Sequence, residues 1–117
     1  MKQIQFSRMG VPSEVVTCVE TDDPVISAPD DVLVRVDVFP INPADLLTMR
    51  GYYPRSDPNS SMLGVEALGY VESVGPSVTD FARGDRVILL SADNWTERKV
   101  LKARDLVRVS HTLDPLR

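Results

Sequence analysis

The sequence has few residues that could hold a metal or form a disulfide. Its only cysteine is Cys18 and its only histidine is His111. A single cysteine cannot form an internal disulfide, and one cysteine with one histidine supplies too few ligands for a zinc site unless several carboxylates contribute. We therefore expect both residues to be structural. We also expect a reducing compartment, the cytoplasm, or the mitochondrial matrix if the source is eukaryotic.

Long apolar runs and an excess of positive charge are absent as well. No stretch approaches the roughly 18 apolar residues that a membrane-spanning helix requires, and residues 1–5 lack the apolar block of a secretory signal. Acidic side chains number 17 against 13 basic ones, which gives a net charge of −4. The chain as a whole therefore has no electrostatic attraction to nucleic acid. We expect neither a membrane nor nucleic acid as a partner.

What is present is typical of one globular domain. Hydrophobic residues make up 43% of the 117 residues and charged residues 26%, enough to bury a modest core. Valines occupy every even position from Val32 to Val38, with Arg35 and Asp37 between them. This period of two predicts a strand with one buried face. Similar patterns predict further strands at 3–6, 14–19, 67–74, 86–90, 96–101 and 106–109, and short strands at such spacing favour a β-barrel or sandwich.

One segment predicts a short helix instead. Asn42 is a good N-cap, Pro43 suits the first helical position and Asp45 suits the first turn. Gly51 can end the helix in a left-handed conformation. The polar, proline-rich residues 52–61 that follow predict a loop, and a loop of this length in a compact domain is often functional.

The usual cofactor motifs are missing. The six glycines never take the G-x-G-x-x-G spacing of a dinucleotide site, and no P-loop, His-Glu-x-x-His or Cys-x-x-Cys pattern occurs. The chain therefore carries no recognisable cofactor or metal cradle of its own.

Several segments, in order along the chain, carry a resemblance. They are INPAD at 41–45, RGYY at 50–53, LGVEALGYV at 63–71, VG at 74–75, FARGDRV at 81–87 and NWTE at 94–97. Together they resemble the N-terminal domain of medium-chain dehydrogenase/reductases. The resemblance implies a mainly β fold over residues 1–117, a GroES-like, partly open β-barrel with one or two short helices. It also implies that the Rossmann domain, which binds the cofactor in that family, is absent from this chain and would begin just past Arg117.

The zinc-dependent branch of the family differs from this sequence at two places. It has a cysteine in the segment occupied here by residues 42–45, and Gly-His-Glu where this chain has Gly64-Val65-Glu66. A valine cannot bind a metal, and the four-cysteine zinc lobe is missing too. The chain therefore is similar to the zinc-free branch, the quinone oxidoreductases and trans-2-enoyl thioester reductases. Glu66 is then expected to be a structural carboxylate held by a nearby arginine.

The resemblance implies an activity and three site residues. The activity is NADPH-dependent, zinc-independent hydride addition to an activated alkene, a 2-enoyl thioester, with a quinone as the alternative substrate. Tyr53 aligns with the family's catalytic tyrosine, and a phenol stays protonated at neutral pH, so it can donate to the oxygen that becomes negative. Asn42 would lie against the nicotinamide, or cap the helix. Trp95 would line the substrate site, or belong to the core, and Tyr53 could likewise be an aromatic that only packs on the barrel.

Two expectations concern the whole protein. On the leading interpretation, the isolated chain is inactive and the full-length protein is a homodimeric oxidoreductase. A rival interpretation is a stand-alone GroES-like module for binding or oligomerisation, without catalysis. The locally basic residues 98–104 are expected to form the solvent-exposed face of a strand, with a landing patch for the phosphates of an acyl carrier as the alternative.

Overall fold

The computed structural model describes residues 1–55 and 57–117, which form two antiparallel sheets and a few short helices. Within these residues the seven strands are β1 (Lys2–Phe6), β2 (Val16–Glu20), β3 (Asp31–Val38), β4 (Ala67–Val74), β5 (Arg86–Leu89), β6 (Arg98–Lys102) and β7 (Leu106–Arg108). The helices are α1 (Pro12–Val15), α2 (Pro43–Met49) and a 3-10 turn (Ala103–Asp105). The mainly β class and the short helices predicted from the sequence are confirmed.

The larger sheet has five strands in the order β6-β3-β4-β5-β7, and the smaller one pairs β1 with β2. Isolated bridges join Gln3 to Thr96 and Gln5 to Met62. These bridges connect the edge of the small sheet to segments that flank the large one. Across the described part of the chain the sheets do not close into a barrel, which agrees with the partly open barrel predicted.

The valine alternation in β3 is confirmed. Val32 and Val34 are fully buried, Val36 is half-buried, and Arg35 and Asp37 are exposed. The buried face of β3 packs with Val71, Val87, Leu89 and others into a cluster that we call the sheet core. A second cluster, the helix-side core, consists of Phe6, Val15, Met49, Leu63 and Trp95.

Two predicted strand boundaries are wrong. The strand predicted at 14–19 begins at Val16, because residues 12–15 form α1 with Pro12 at its start and Val15 buried in the helix-side core. The strand predicted at 96–101 begins at Arg98. The backbone of Glu97 instead donates to the carbonyl of Lys2 at 3.1 Å, which ties this stretch to the small sheet.

The predicted helix is confirmed as α2. Asn42 and Asp45 form a capping box, in which the Asp45 carboxylate accepts a hydrogen bond from the backbone N–H of Asn42 at 3.0 Å. Gly51, with φ +85°, supplies the left-handed residue after the helix. The predicted loop at 52–61 follows, of which Ser56 lies outside the described residues. None of the described helices is long and apolar enough to cross a membrane.

Candidate active site

Helix α2 connects two of the three site residues predicted from the sequence. Asn42 is its N-cap, while Tyr53 follows its C-terminal end. The helix is fixed on the domain by Met49 and Asp45, which are each 2% exposed. The helix thus begins at Asn42, and the loop that carries Tyr53 begins beyond its C-terminal end.

The Asn42 side chain is oriented by Glu66. Its Nδ2 donates to Glu66 Oε1 at 3.1 Å, and the carboxylate itself is exposed. The expected arginine partner of Glu66 is therefore wrong: in the described residues the carboxylate is held by an amide. Since Nδ2 is committed to Glu66, the orientation of the Asn42 carboxamide is fixed.

Tyr53 is half exposed, with 50% of its surface accessible, and Tyr52 is 77% exposed. Neither ring belongs to the sheet core or the helix-side core. The backbone N–H of Tyr52 donates to the carbonyl of Leu47 at 2.9 Å, so the chain leaves the helix in a defined direction. The Tyr53 hydroxyl is therefore not consumed by interior packing and remains available to a ligand.

Trp95 combines the two alternatives left open by the sequence. It is 5% exposed, belongs to the helix-side core, and stacks on Phe39 with ring centroids 5.4 Å apart. Phe39 and Trp95 also line a groove of about 490 Å³ between the two sheets, the Trp95 groove. The indole Nε1 is buried and has no hydrogen-bond partner among the described residues. Trp95 is therefore a core residue that also forms a groove wall.

Two further spaces lie near these residues. A wide apolar groove of about 770 Å³, the sheet groove, is lined by Phe39, Glu66, Arg86, Ile88 and Leu116 among others. A small loop cavity of about 80 Å³ lies between Asp45, Arg55, Gly64 and Asp93. Tyr53 lines none of these three spaces, although its neighbours Pro54 and Arg55 line the loop cavity.

Gly64 lies directly against Trp95. It has φ +109°, and a Cβ at this position would lie 2.5 Å from Trp95 Cδ1. Only glycine fits both the backbone conformation and the space. The segment that carries Val65 and Glu66 can therefore run directly against the indole ring.

Three cationic side chains, of which Arg86 is buried and Arg55 and Lys99 are half-buried, make contacts that the sequence did not predict. Arg86 is 2% exposed and donates to the carbonyls of Ser110 and Leu113. Arg55 lies on the 52–61 loop, and Lys99 binds Ser91 Oγ at 3.0 Å and Asn94 Oδ1 at 3.2 Å. No local pattern marks them, because each partner is distant in sequence or lies in an irregular loop.

The basic stretch 98–104 is largely occupied by contacts within the domain. Arg98 Nε lies 3.1 Å from Glu72, and Lys102 Nζ lies 2.6 Å from Asp31. Burial lowers the pKa of Lys99, whose ammonium also binds the carbonyl of Ala92. The stretch is half-buried, with Leu101 buried and Arg104 exposed, rather than a fully exposed strand face, and its cations bind groups of the same domain.

Possible metal ligands do not cluster among the described residues. Across the described residues, no three His, Cys, Asp or Glu side chains are placed to hold a metal ion together. Val65 is 44% exposed at the position where the zinc-dependent enzymes have histidine. The side chain of Val65 therefore supplies no donor atom at this place.

Comparisons with known proteins agree with this architecture. A family model described as the alcohol dehydrogenase GroES-like domain matches residues 28–107. The mitochondrial enoyl-[acyl-carrier-protein] reductase of Arabidopsis thaliana is 37% identical over 87 residues, which cover 74% of this chain and 23% of the relative.

Solved structures give the same result. A quinone oxidoreductase of Pseudomonas syringae is 34% identical with a TM-score of 0.80, covering 97% of this chain and 35% of that one. The Escherichia coli quinone oxidoreductase complexed with NADPH is 26% identical with a TM-score of 0.83, covering 98% and 35%. The chain thus spans about a quarter to a third of the length of these relatives. It belongs to the alcohol dehydrogenase GroES-like domain family, the N-terminal part of medium-chain dehydrogenase/reductases that its motifs predicted.

Proposed function

We propose that this chain is the substrate-side domain of an NADPH-dependent, zinc-independent reductase that adds hydride to a 2-enoyl thioester. The observation that carries the proposal is the half-exposed phenol of Tyr53, on the loop directly after the helix that carries Asn42. The Arabidopsis relative is itself an enoyl reductase. The cofactor-binding Rossmann domain would be supplied by the remainder of a longer polypeptide.

The residues of this chain fit only one end of the cofactor. The oriented carboxamide of Asn42 suits a hydrogen bond to the nicotinamide amide, while the described residues offer no glycine-rich turn for the pyrophosphate. When bound, the reduced nicotinamide supplies the hydride that the β-carbon of the alkene receives. The role of Asn42 is to orient that ring against the substrate.

Tyr53 would act as the hydrogen-bond or proton donor to the substrate. As the β-carbon gains hydride, negative charge develops on the thioester carbonyl oxygen and the α-carbon comes to need a proton. The Tyr53 hydroxyl would donate a hydrogen bond or proton to this developing charge. Trp95 and Phe39 would supply an apolar wall for the substrate chain, through the Trp95 groove.

Substrate turnover by the complete protein tests the proposal. We expect reduction of a short 2-enoyl thioester with NADPH, and a fall in kcat of about 10²-fold or more in Tyr53→Phe, the typical size of an acid–base contribution. Tyr52→Phe is the matched control, since it removes a hydroxyl one residue away. Equal rates for Tyr53→Phe and the unsubstituted protein would remove Tyr53 from the mechanism.

The second candidate is a quinone oxidoreductase, favoured by the 34% identity to the Pseudomonas enzyme. Reduction of a quinone but not of the enoyl thioester would establish it in place of the first. A coding sequence that ends at Arg117 would instead favour a stand-alone module without catalysis.

We further propose a homodimer for the longer protein, in the cytoplasm or the mitochondrial matrix. The reducing compartment is supported by the lone, exposed Cys18. Sedimentation of the complete protein at the mass of one protomer would contradict the dimer. Recovery of the protein from an oxidising compartment would contradict the location.

A further inference from the structure

The loop that carries Tyr53 is attached at both ends, and none of its described residues belongs to a helix or a named strand. At its start the N–H of Tyr52 donates to the carbonyl of Leu47, and at its end the N–H of Phe6 donates to the carbonyl of Ser61, each at 2.9 Å. A proline-rich stretch between two such anchors needs side-chain contacts to adopt one conformation.

Arg55 supplies several of these contacts, beside those that Asp57 makes with Asn59 and Ser60 makes with Asp93. Its guanidinium donates from Nη1 to the carbonyl of Ser60 and from Nη2 to the carbonyl of Pro58. It therefore joins the part of the loop that follows Tyr53 to the part that returns to the sheet.

The same guanidinium fixes the loop to the interior. It lies over the ring of Phe6, 5.1 Å from the ring centroid. Phe6 is 5% exposed and belongs to the helix-side core together with Met49 of α2. A cation over an aromatic face is stabilised by the ring's negative charge, and more so where water is excluded. The loop is thus bound to the same core on which α2 rests.

From these contacts we infer that Arg55 is a positioning residue, which holds the Tyr53 loop in the orientation required for donation to substrate. This inference rests on the proposed function of Tyr53. Arginine suits this position because its planar fork reaches two carbonyls and stacks on the ring at once, whereas the compact ammonium of a lysine can make only part of these contacts. The Arg55 side chain itself does not touch the reacting atoms.

Steady-state kinetics of the complete protein test the inference. We expect Arg55→Met to lower kcat for the enoyl thioester by about 10- to 100-fold with little change in KM, since a misplacement of about 1 Å costs rate on this order. Arg55→Lys should restore part of the loss. Arg83→Met, an exposed arginine on the turn between β4 and β5, is the control and should be unchanged.

A double substitution separates positioning from general destabilisation. If Arg55 acts through the Tyr53 hydroxyl, Arg55→Met should add little to the loss already caused by Tyr53→Phe. A full and independent additional loss in the double variant, or an unchanged kcat in Arg55→Met, would overturn the inference while leaving the proposed function intact.

Hydrogen exchange distinguishes failure of the Arg55 inference from failure of the proposed role of Tyr53. We expect Arg55→Met to speed exchange of the amides of Tyr52, Asn59 and Ser60 by about tenfold or more, while amides of β3 and β4 keep their rates. Unchanged exchange in the loop would overturn the inference on structural grounds alone. Faster exchange together with a silent Tyr53→Phe would leave Arg55 as a loop anchor and refute both the catalytic role of Tyr53 and the positioning role.

Discussion

Asp31 is the buried charge on which the start of β3 depends. Its Oδ2 accepts backbone hydrogen bonds from Ala28 at 2.9 Å and Ser27 at 3.1 Å, and its Oδ1 lies 2.6 Å from Lys102 Nζ. The Lys102 ammonium, with these two N–H groups, lowers the pKa of Asp31 to about 2. The carboxylate therefore closes the turn before β3 and joins β3 to the edge strand β6.

This pKa predicts the acid sensitivity of the fold. Because the folded pKa lies below the ordinary value of 3.8, the ionised form is favoured by folding, so its contribution is complete above about pH 4. It is lost as the pH falls from there through about 2. In Asp31→Asn we expect a lower free energy of unfolding at neutral pH and a weaker dependence on pH below 4, measured by urea titration. The control is Asp37→Asn, at an exposed position of the same strand, and an equal effect of both substitutions would contradict the role of Asp31.

Some of the residue contacts could be predicted from the sequence and others could not. The capping residues Asn42 and Asp45 could be predicted, because a helix N-terminus is encoded within a few neighbouring positions. The contact between Asn42 and Glu66 could not, since it depends on how β4 returns beside the helix. The position of Arg55 over Phe6 was missed for the same reason. Pairings between distant segments leave no local pattern.

At the level of elements, the central strands carry the fold. Strand β5 lies between β4 and β7, and its alternation places Leu89 in the sheet core with no exposed surface. Leu90, the next residue, is 59% exposed. Leu89 and Leu90 are therefore identical side chains, one in the core and the other exposed to solvent.

We expect Leu89→Ala to lower the free energy of unfolding by about 2–5 kcal/mol, through lost burial and a residual cavity. Leu90→Ala should change it by less than about 0.5 kcal/mol, as is usual for exposed sites. Urea denaturation of the two variants provides the comparison. Similar losses in both would mean that β5 does not face the interior as described.

The elements themselves were largely predictable, because β3 alternates with a period of two and turn residues separate the other apolar segments. The errors fall where short segments serve the second sheet. Residues 12–15 form helix α1, which buries Val15. Thr96 pairs with Gln3 of β1, and the backbone of Glu97 bonds to both Lys2 of β1 and Val36 of β3. Tertiary contacts overrode local preference at these places.

For the whole molecule, the main feature is the opening between the two sheets. Phe39 lies at the end of β3 and lines both the sheet groove and the Trp95 groove. Leu116 also lines both grooves, whereas Ile88 of β5 lines the sheet groove, between the large sheet and the C-terminal segment. An open apolar surface of this kind is typical of a region that a ligand or another part of a protein covers. We propose that the cofactor-binding part of a longer polypeptide closes it.

NADPH oxidation in the presence of a 2-enoyl thioester tests this proposal most directly, with the complete protein compared to the folded 117-residue chain at equal concentration. We predict turnover by the complete protein and none by the chain alone, because in the proposed function this chain contributes the proton donor while the remainder of the polypeptide binds the cofactor phosphates. Sustained turnover by the chain alone would contradict the proposed division of labour. Failure of the complete protein to reduce either a thioester or a quinone would contradict the reductase itself.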